Sequence, residues 1–127
     1  MDSGIGDYNR LWVTNSLRGI CNFDISIKTL KKGIHSGKGS GIAPETFMIL
    51  RGLIARLEDS NTGIMKKFRV EIPEYYKNSI AKTAELIGVP KTPLLPGVKF
   101  TEEDTTKLLM RNFWEPCLAV VGINGIP

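Results

Sequence analysis

The stretch that decides the predicted fold is GICNFDISIKTL, residues 19–30. Apolar side chains occupy the odd positions 21–27, and polar side chains occupy the even positions 22–28. A period of two with one polar face is typical of a β-strand that is buried on one side only. We therefore predict a half-buried strand at this position.

The segments that follow predict an alternation of helices and strands. PETFMILRGLIARLED, residues 44–59, has apolar residues at three- and four-residue spacing, and Pro44 suits the first position of a helix. Two more helices are expected: one at residues 73–88, with Tyr76, Ile80, Ala84 and Ile87 inward, and one from Thr101, which resembles a capping residue, to about Asn112. Two more strands are expected at KKFRVEIP (66–73) and PCLAVVGINGIP (116–127). This order predicts an α+β layer with helices on one side of a sheet.

Composition sets limits on the class of protein. A chain of 127 residues with 42% hydrophobic residues is expected to form one globular domain. The formal net charge of +4 is mild, and acids are interleaved with most of the basic residues, so the basic residues are expected to be solvated surface. We therefore expect no nucleic-acid partner. Both ends of the sequence are abrupt, which suggests a segment of a larger protein.

Three further features indicate the compartment. Cys21 and Cys117 form no C-x-x-C pair, and two buried thiols in a reducing compartment are favoured over one disulfide. No apolar run approaches the roughly 18 residues that a membrane-spanning helix needs. The start, MDSGIGDYNR, has neither the basic nor the apolar region of a signal peptide. We expect a cytoplasmic protein without a membrane partner.

The glycine-rich segment KKGIHSGKGSGIAPET, residues 31–46, has two possible functions. It could bind a phosphate through backbone N–H groups, or it could present His35, the single histidine of the chain. The spacing does not match a Walker A loop, because Lys38 follows Gly37 but is itself followed by Gly39. It also places the third glycine one residue early for the dinucleotide fingerprint. The phosphate interpretation is therefore the weaker one.

His35 itself has two interpretations. It could be a functional donor, or it could be an ordinary surface or helix-capping residue. A zinc site normally needs three or four protein ligands. With one histidine and no evident cluster of carboxylates, the chain is not expected to form a histidine-rich metal centre by itself.

Several strings of residues resemble one family. SLRGICNFDISIKTLKKGIHSGKGSG, a helix, and then WEPCLAVVGINGIP are similar to the lid, or dimerisation, domain of the carnosinase, cytosolic dipeptidase and aminoacylase family of dinuclear zinc metallopeptidases. The elements that carry the resemblance are Leu17-Arg18-Gly19, His35-Ser36-Gly37, and Trp114 through Gly125. The resemblance covers nearly the whole chain and is weakest between residues 66 and 112.

The resemblance implies a fold, an activity and a role for two residues. The fold would be a ferredoxin-like antiparallel sheet with helices on one face, incomplete in this segment. Residues 1–16 would connect to the catalytic domain and 17–127 would form the lid, with a variable helical excursion at about 59–112. The lid would form a homodimer, and His35 would contact the scissile carbonyl of a substrate in the active site of the partner subunit. Asp2 would be a zinc ligand in the intact enzyme only.

The resemblance also sets what is expected of the isolated chain. The parent enzyme would use two zinc ions to hydrolyse a peptide or an N-acyl amino acid, and this segment alone would be inactive and bind no zinc. The alternative that the residues leave open is a small ferredoxin-like module that binds a nucleotide or RNA. The sequence does not choose between a dipeptidase and a deacylase.

Overall fold

The computed structural model describes residues 7–125, and within them the regular structure is helical. The helices are α1 (Ser36–Gly39), α2 (Thr46–Leu57), α3 (Glu74–Ile87) and α4 (Thr105–Phe113). The three helices predicted from the sequence are therefore confirmed, with ends that differ by one to four residues. None of the helices in the described part is long and apolar enough to cross a membrane.

Local signals explain where the longer helices begin and end. The carboxylate of Glu45 caps α2 by accepting a hydrogen bond from the N–H of Phe47 at 2.8 Å. The carboxylate of Asp104 caps α4 by accepting from the N–H of Lys107 at 2.8 Å. Each cap satisfies a backbone donor that the first turn leaves without a partner. The residue that caps α4 is thus Asp104, whereas the sequence pattern had indicated Thr101.

The chain divides into two compact units, of which the first comprises residues 7–19 and 69–117. Helices α3 and α4 pack against each other there, and Ile80, Ala84 and Leu109 form the buried core. Leu109 is 1% exposed. The ring of Tyr76 lies 4.7 Å from that of Trp114, which packs against the same core. The predicted inward face of α3 is confirmed by this packing.

The second unit comprises residues 20–68 and 118–125 and contains α1 and α2. A tight turn follows α2, in which one carboxylate oxygen of Asp59 accepts hydrogen bonds from the N–H groups of Asn61 and Thr62, both at 3.0 Å. Because these donors stabilise the ionised form, with Thr62 contributing most, the pKa of Asp59 is lowered from its ordinary value. The turn brings Met65 back to α2, where it is 6% exposed.

The predicted ferredoxin-like antiparallel sheet is wrong. The described residues contain no β-strand, and their one β-type pairing is an isolated antiparallel bridge between Glu58 and Met65. Within residues 7–125, the three segments predicted as strands contribute no ladder of hydrogen bonds. Phe23, on the predicted buried face of the first strand, is 61% exposed, and Val120, in the third predicted strand, is 56% exposed.

The physical reason lies in what a sheet requires. Alternation of apolar and polar residues fits a chain to one face of a sheet, but a strand also needs a neighbour for its N–H and C=O groups. Residues 20–30 have no regular secondary structure, and their backbone N–H groups donate to no acceptor in the described part of the chain. The pattern therefore predicted a paired strand incorrectly.

Candidate functional site

The glycine-rich segment forms a short turn of helix and a bend. His35 is the N-cap of α1, and its carbonyl oxygen accepts a hydrogen bond from the N–H of Lys38 at 2.9 Å. The N–H of Ser40 donates to the carbonyl of Ser36 at 2.8 Å and closes the single turn. The chain then bends through Gly41, whose φ of 78° favours glycine. The local hydrogen bonds thus fix the backbone that follows His35.

The imidazole of His35 is held by one of its two ring nitrogens. Its Nδ1 accepts a hydrogen bond from the N–H of Gly37 at 3.0 Å. A nitrogen that accepts a hydrogen bond carries no proton, so the neutral ring must carry its proton on Nε2. The side chain is exposed, and Nε2 has no hydrogen-bond partner among residues 7–125. The turn therefore presents an N–H donor to the solvent.

This arrangement depends on two glycines, because the side chains of His35 and Ile34 pack closely against them. A Cβ atom at Gly37 would lie 3.2 Å from Nδ1 and 3.3 Å from Cε1 of His35. A Cβ atom at Gly39 would lie 2.9 Å from Cδ1 of Ile34. Any larger residue at these positions would push the imidazole or the isoleucine away from the turn.

A second contact joins two of the sequence strings that carry the family resemblance. A guanidinium nitrogen of Arg18 donates a hydrogen bond to the carbonyl of Glu115 at 3.0 Å and lies 3.3 Å from Sγ of Cys117. Both partners are within the first unit. The sequence does not indicate this contact, since nearly one hundred residues separate its members and neither string has a pattern that indicates the other. Cys117 and Cys21 are exposed free cysteines, and the predicted burial of both thiols is wrong.

The two predicted site residues have different outcomes. His35 lies on the surface of the second unit, as described above, and Asp2 lies outside the described residues. Within the described range, no acidic side chain forms an ion pair or hydrogen bond with His35. Residues 7–125 contain no group of three or more His, Cys, Asp or Glu side chains that could hold a metal ion. These residues therefore do not fit a zinc centre, and the donor at His35 is the chemistry that they offer.

The comparison with known proteins adds no family assignment. No protein-family model matches the sequence, and no curated protein matches it either. The resemblance to the dinuclear zinc peptidases therefore stays a prediction that depends on the residue strings themselves.

Proposed function

We propose that this chain is the lid, or dimerisation, segment of an amide hydrolase of the dinuclear zinc type, and that His35 serves the active site of a partner subunit. The observation that carries the proposal is the imidazole of His35, whose Nδ1 is held by the N–H of Gly37 while its Nε2 is exposed. The zinc ions would be bound by residues outside 7–125. Those ions would supply the chemistry that cleaves the amide bond, and this segment would supply a hydrogen-bond donor to the substrate.

The role of the donor follows from the charge that amide hydrolysis develops. When the carbonyl carbon becomes tetrahedral, its oxygen gains negative charge, and a neutral N–H group aimed at that oxygen stabilises it. His35 fits this role because the hydrogen bond to Nδ1 fixes both the tautomer and the direction of the ring. A donor whose direction is fixed in advance needs no reorganisation during the reaction.

The alternative interpretation is that His35 is only a helix cap, and a pair of variants separates the two. His35→Asn retains the cap, because the amide oxygen can accept from the N–H of Gly37 and Asn is among the best capping residues. It removes the donor that Nε2 provides. His35→Gln loses the ideal cap but places an amide N–H farther from the backbone, where it can replace the Nε2 donor in part.

The experiment uses the whole enzyme that the reading frame containing these residues encodes. Hydrolysis of dipeptides and N-acetyl amino acids is measured, with the zinc content of each variant determined by atomic absorption. We expect His35→Asn to lower kcat by about 10²–10³, the usual cost of losing one such donor. The kcat of His35→Gln should be at least tenfold higher than that of His35→Asn, which is about 1.4 kcal/mol in activation free energy. Zinc content should be unchanged throughout.

A matched control is Lys38→Ala, which alters an exposed side chain of the same turn and should leave kcat within a factor of two or three. Two results would overturn the proposal: an enzyme that hydrolyses none of these substrates, or a His35→Asn variant with the turnover of the unaltered enzyme. Loss of zinc from His35→Asn would reassign the residue to a structural role.

A further inference from the structure

The segment that contains His35 is also the most cationic part of the chain. Residues 28–44, here called the cationic segment, contain no aspartate or glutamate and carry four lysines, at positions 28, 31, 32 and 38. All four side chains are exposed. The ion pairs found among residues 7–125 all lie in the first unit, and none includes one of these lysines. The positive charge of the segment is therefore not neutralised by the described part of the chain.

The backbone of the cationic segment adds a second kind of donor. The N–H groups of residues 28–34 donate to no acceptor within residues 7–125. Four glycines, at positions 33, 37, 39 and 41, limit the side-chain bulk around this backbone. Lysine ammonium groups and exposed N–H groups on one short segment are complementary to phosphate oxygens.

We infer that the cationic segment docks the phosphodiester backbone of a single-stranded nucleic acid. Three of the lysines precede α1, and residues 28–35, if fully extended, would span at most about 28 Å, so these lysines can face several successive phosphates. Phe23, which precedes the segment and is 61% exposed, offers a ring on which a base can stack. Single strands fit this combination of a basic backbone track and an exposed aromatic ring.

Two other anionic partners fit the same lysines less well. Binding to a membrane surface typically uses basic residues on one face of an amphipathic helix, whereas three of the four lysines lie outside any helix. Binding in the major groove of a duplex requires a helix or a two-stranded ribbon that carries the contacts, and α1 has only four residues. A single strand requires neither.

This inference is independent of the proposed function, because it depends on the lysines and not on His35. It reverses the expectation from the sequence that these residues are merely solvated. That expectation came from acids interleaved with bases along the whole chain. Among residues 7–125, the acids that form ion pairs do so with other cations, in the first unit, and none of these pairs includes one of the four lysines.

The test measures fluorescence anisotropy of a fluorescein-labelled 20-mer of deoxythymidine with the 127-residue chain at 50–200 mM KCl. We expect a Kd on the order of 10⁻⁵ M at 50 mM. With four phosphate contacts, log Kobs should fall against log[KCl] with a slope of about −2.8, so binding weakens about 50-fold over this range. In Lys31→Ala/Lys32→Ala the slope should fall to about −1.4, which gives about a 7-fold change.

The matched control is Lys91→Ala/Lys99→Ala, which removes two exposed and unpaired lysines from the first unit and should retain the original slope. Absence of binding at 50 mM KCl would refute the inference. An equal loss of binding in the two double variants would also refute it, because the effect would then depend on net charge alone. Binding to vesicles of 3:1 phosphatidylcholine and phosphatidylserine, without binding to the oligonucleotide, would show that the partner is a membrane surface and would equally reject it.

Discussion

Leu109→Ala tests the core of the first unit, because Leu109 is the most deeply buried side chain between α3 and α4. The substitution removes three buried carbon atoms. Each buried methylene-sized group contributes about 0.8 kcal/mol to the free energy of unfolding. The cavity that remains adds to this cost, and the usual total for a buried leucine is about 3 kcal/mol. Because the free energy of unfolding falls by about 1.5 kcal/mol per molar urea, the midpoint of unfolding should fall by about 2 M.

Tryptophan fluorescence is the assay for this prediction, since both tryptophans of the chain belong to the first unit and Trp114 packs on its core. Leu95→Ala is the control: the same substitution at a side chain that is 75% exposed should change the free energy of unfolding by less than about 0.5 kcal/mol. Leu109→Met keeps most of the buried volume and should cost less than about 1.5 kcal/mol. If Leu109→Ala and Leu95→Ala have the same midpoint, α3 and α4 do not form a core around Leu109.

Three smaller predictions concern the turns and caps. Asp104→Ala should lower the stability of the first unit by about 1 kcal/mol in urea unfolding, because the first turn of α4 loses its cap; an unchanged midpoint would contradict the capping contact. The pKa of the Asp59 carboxyl should lie below its ordinary value in an NMR pH titration, because Thr62 donates hydrogen bonds to it. Its contribution to stability should be present above about pH 4 and lost as the pH falls through its folded pKa, and an ordinary pKa would refute this. Gly37→Ala should move the imidazole of His35 by a few tenths of an ångström and shift its ring NMR signals, whereas Gly52→Ala, which meets no neighbour within 4 Å, should not.

The sequence predicted the helical elements well because their signals are local. Apolar residues at three- and four-residue spacing identified α2 and α3, and the predicted inward residues Ile80 and Ala84 are buried. The start of α4 was predicted at Thr101, whereas the hydrogen bond from the N–H of Lys107 makes Asp104 the cap. One helix, α1, was not predicted, since glycine at two of its four positions disfavours a helix.

The candidate functional residue, His35, was also chosen from local sequence, but its geometry could not be predicted. That His35 is the one histidine, set in a glycine-rich segment, can be read directly from the residues. The orientation of its ring depends on the N–H of Gly37 and on the absence of a Cβ atom there, which only the folded turn defines. Likewise, the sequence does not indicate which charged side chains form ion pairs. In the structure, the ion pairs among residues 7–125 lie in the first unit, and none includes a lysine of the cationic segment.

The sequence by itself determined the three longer helices and which residues could carry chemistry, because these properties depend on neighbours a few positions away. Only the tertiary structure decided that the segments with a strand-like pattern do not form a sheet among residues 7–125, and that Arg18 contacts Glu115 across nearly the whole chain. Both depend on a partner that is distant in sequence. Alternation along one segment describes the face it can bury, and it contains no information about whether another segment is there to pair with it.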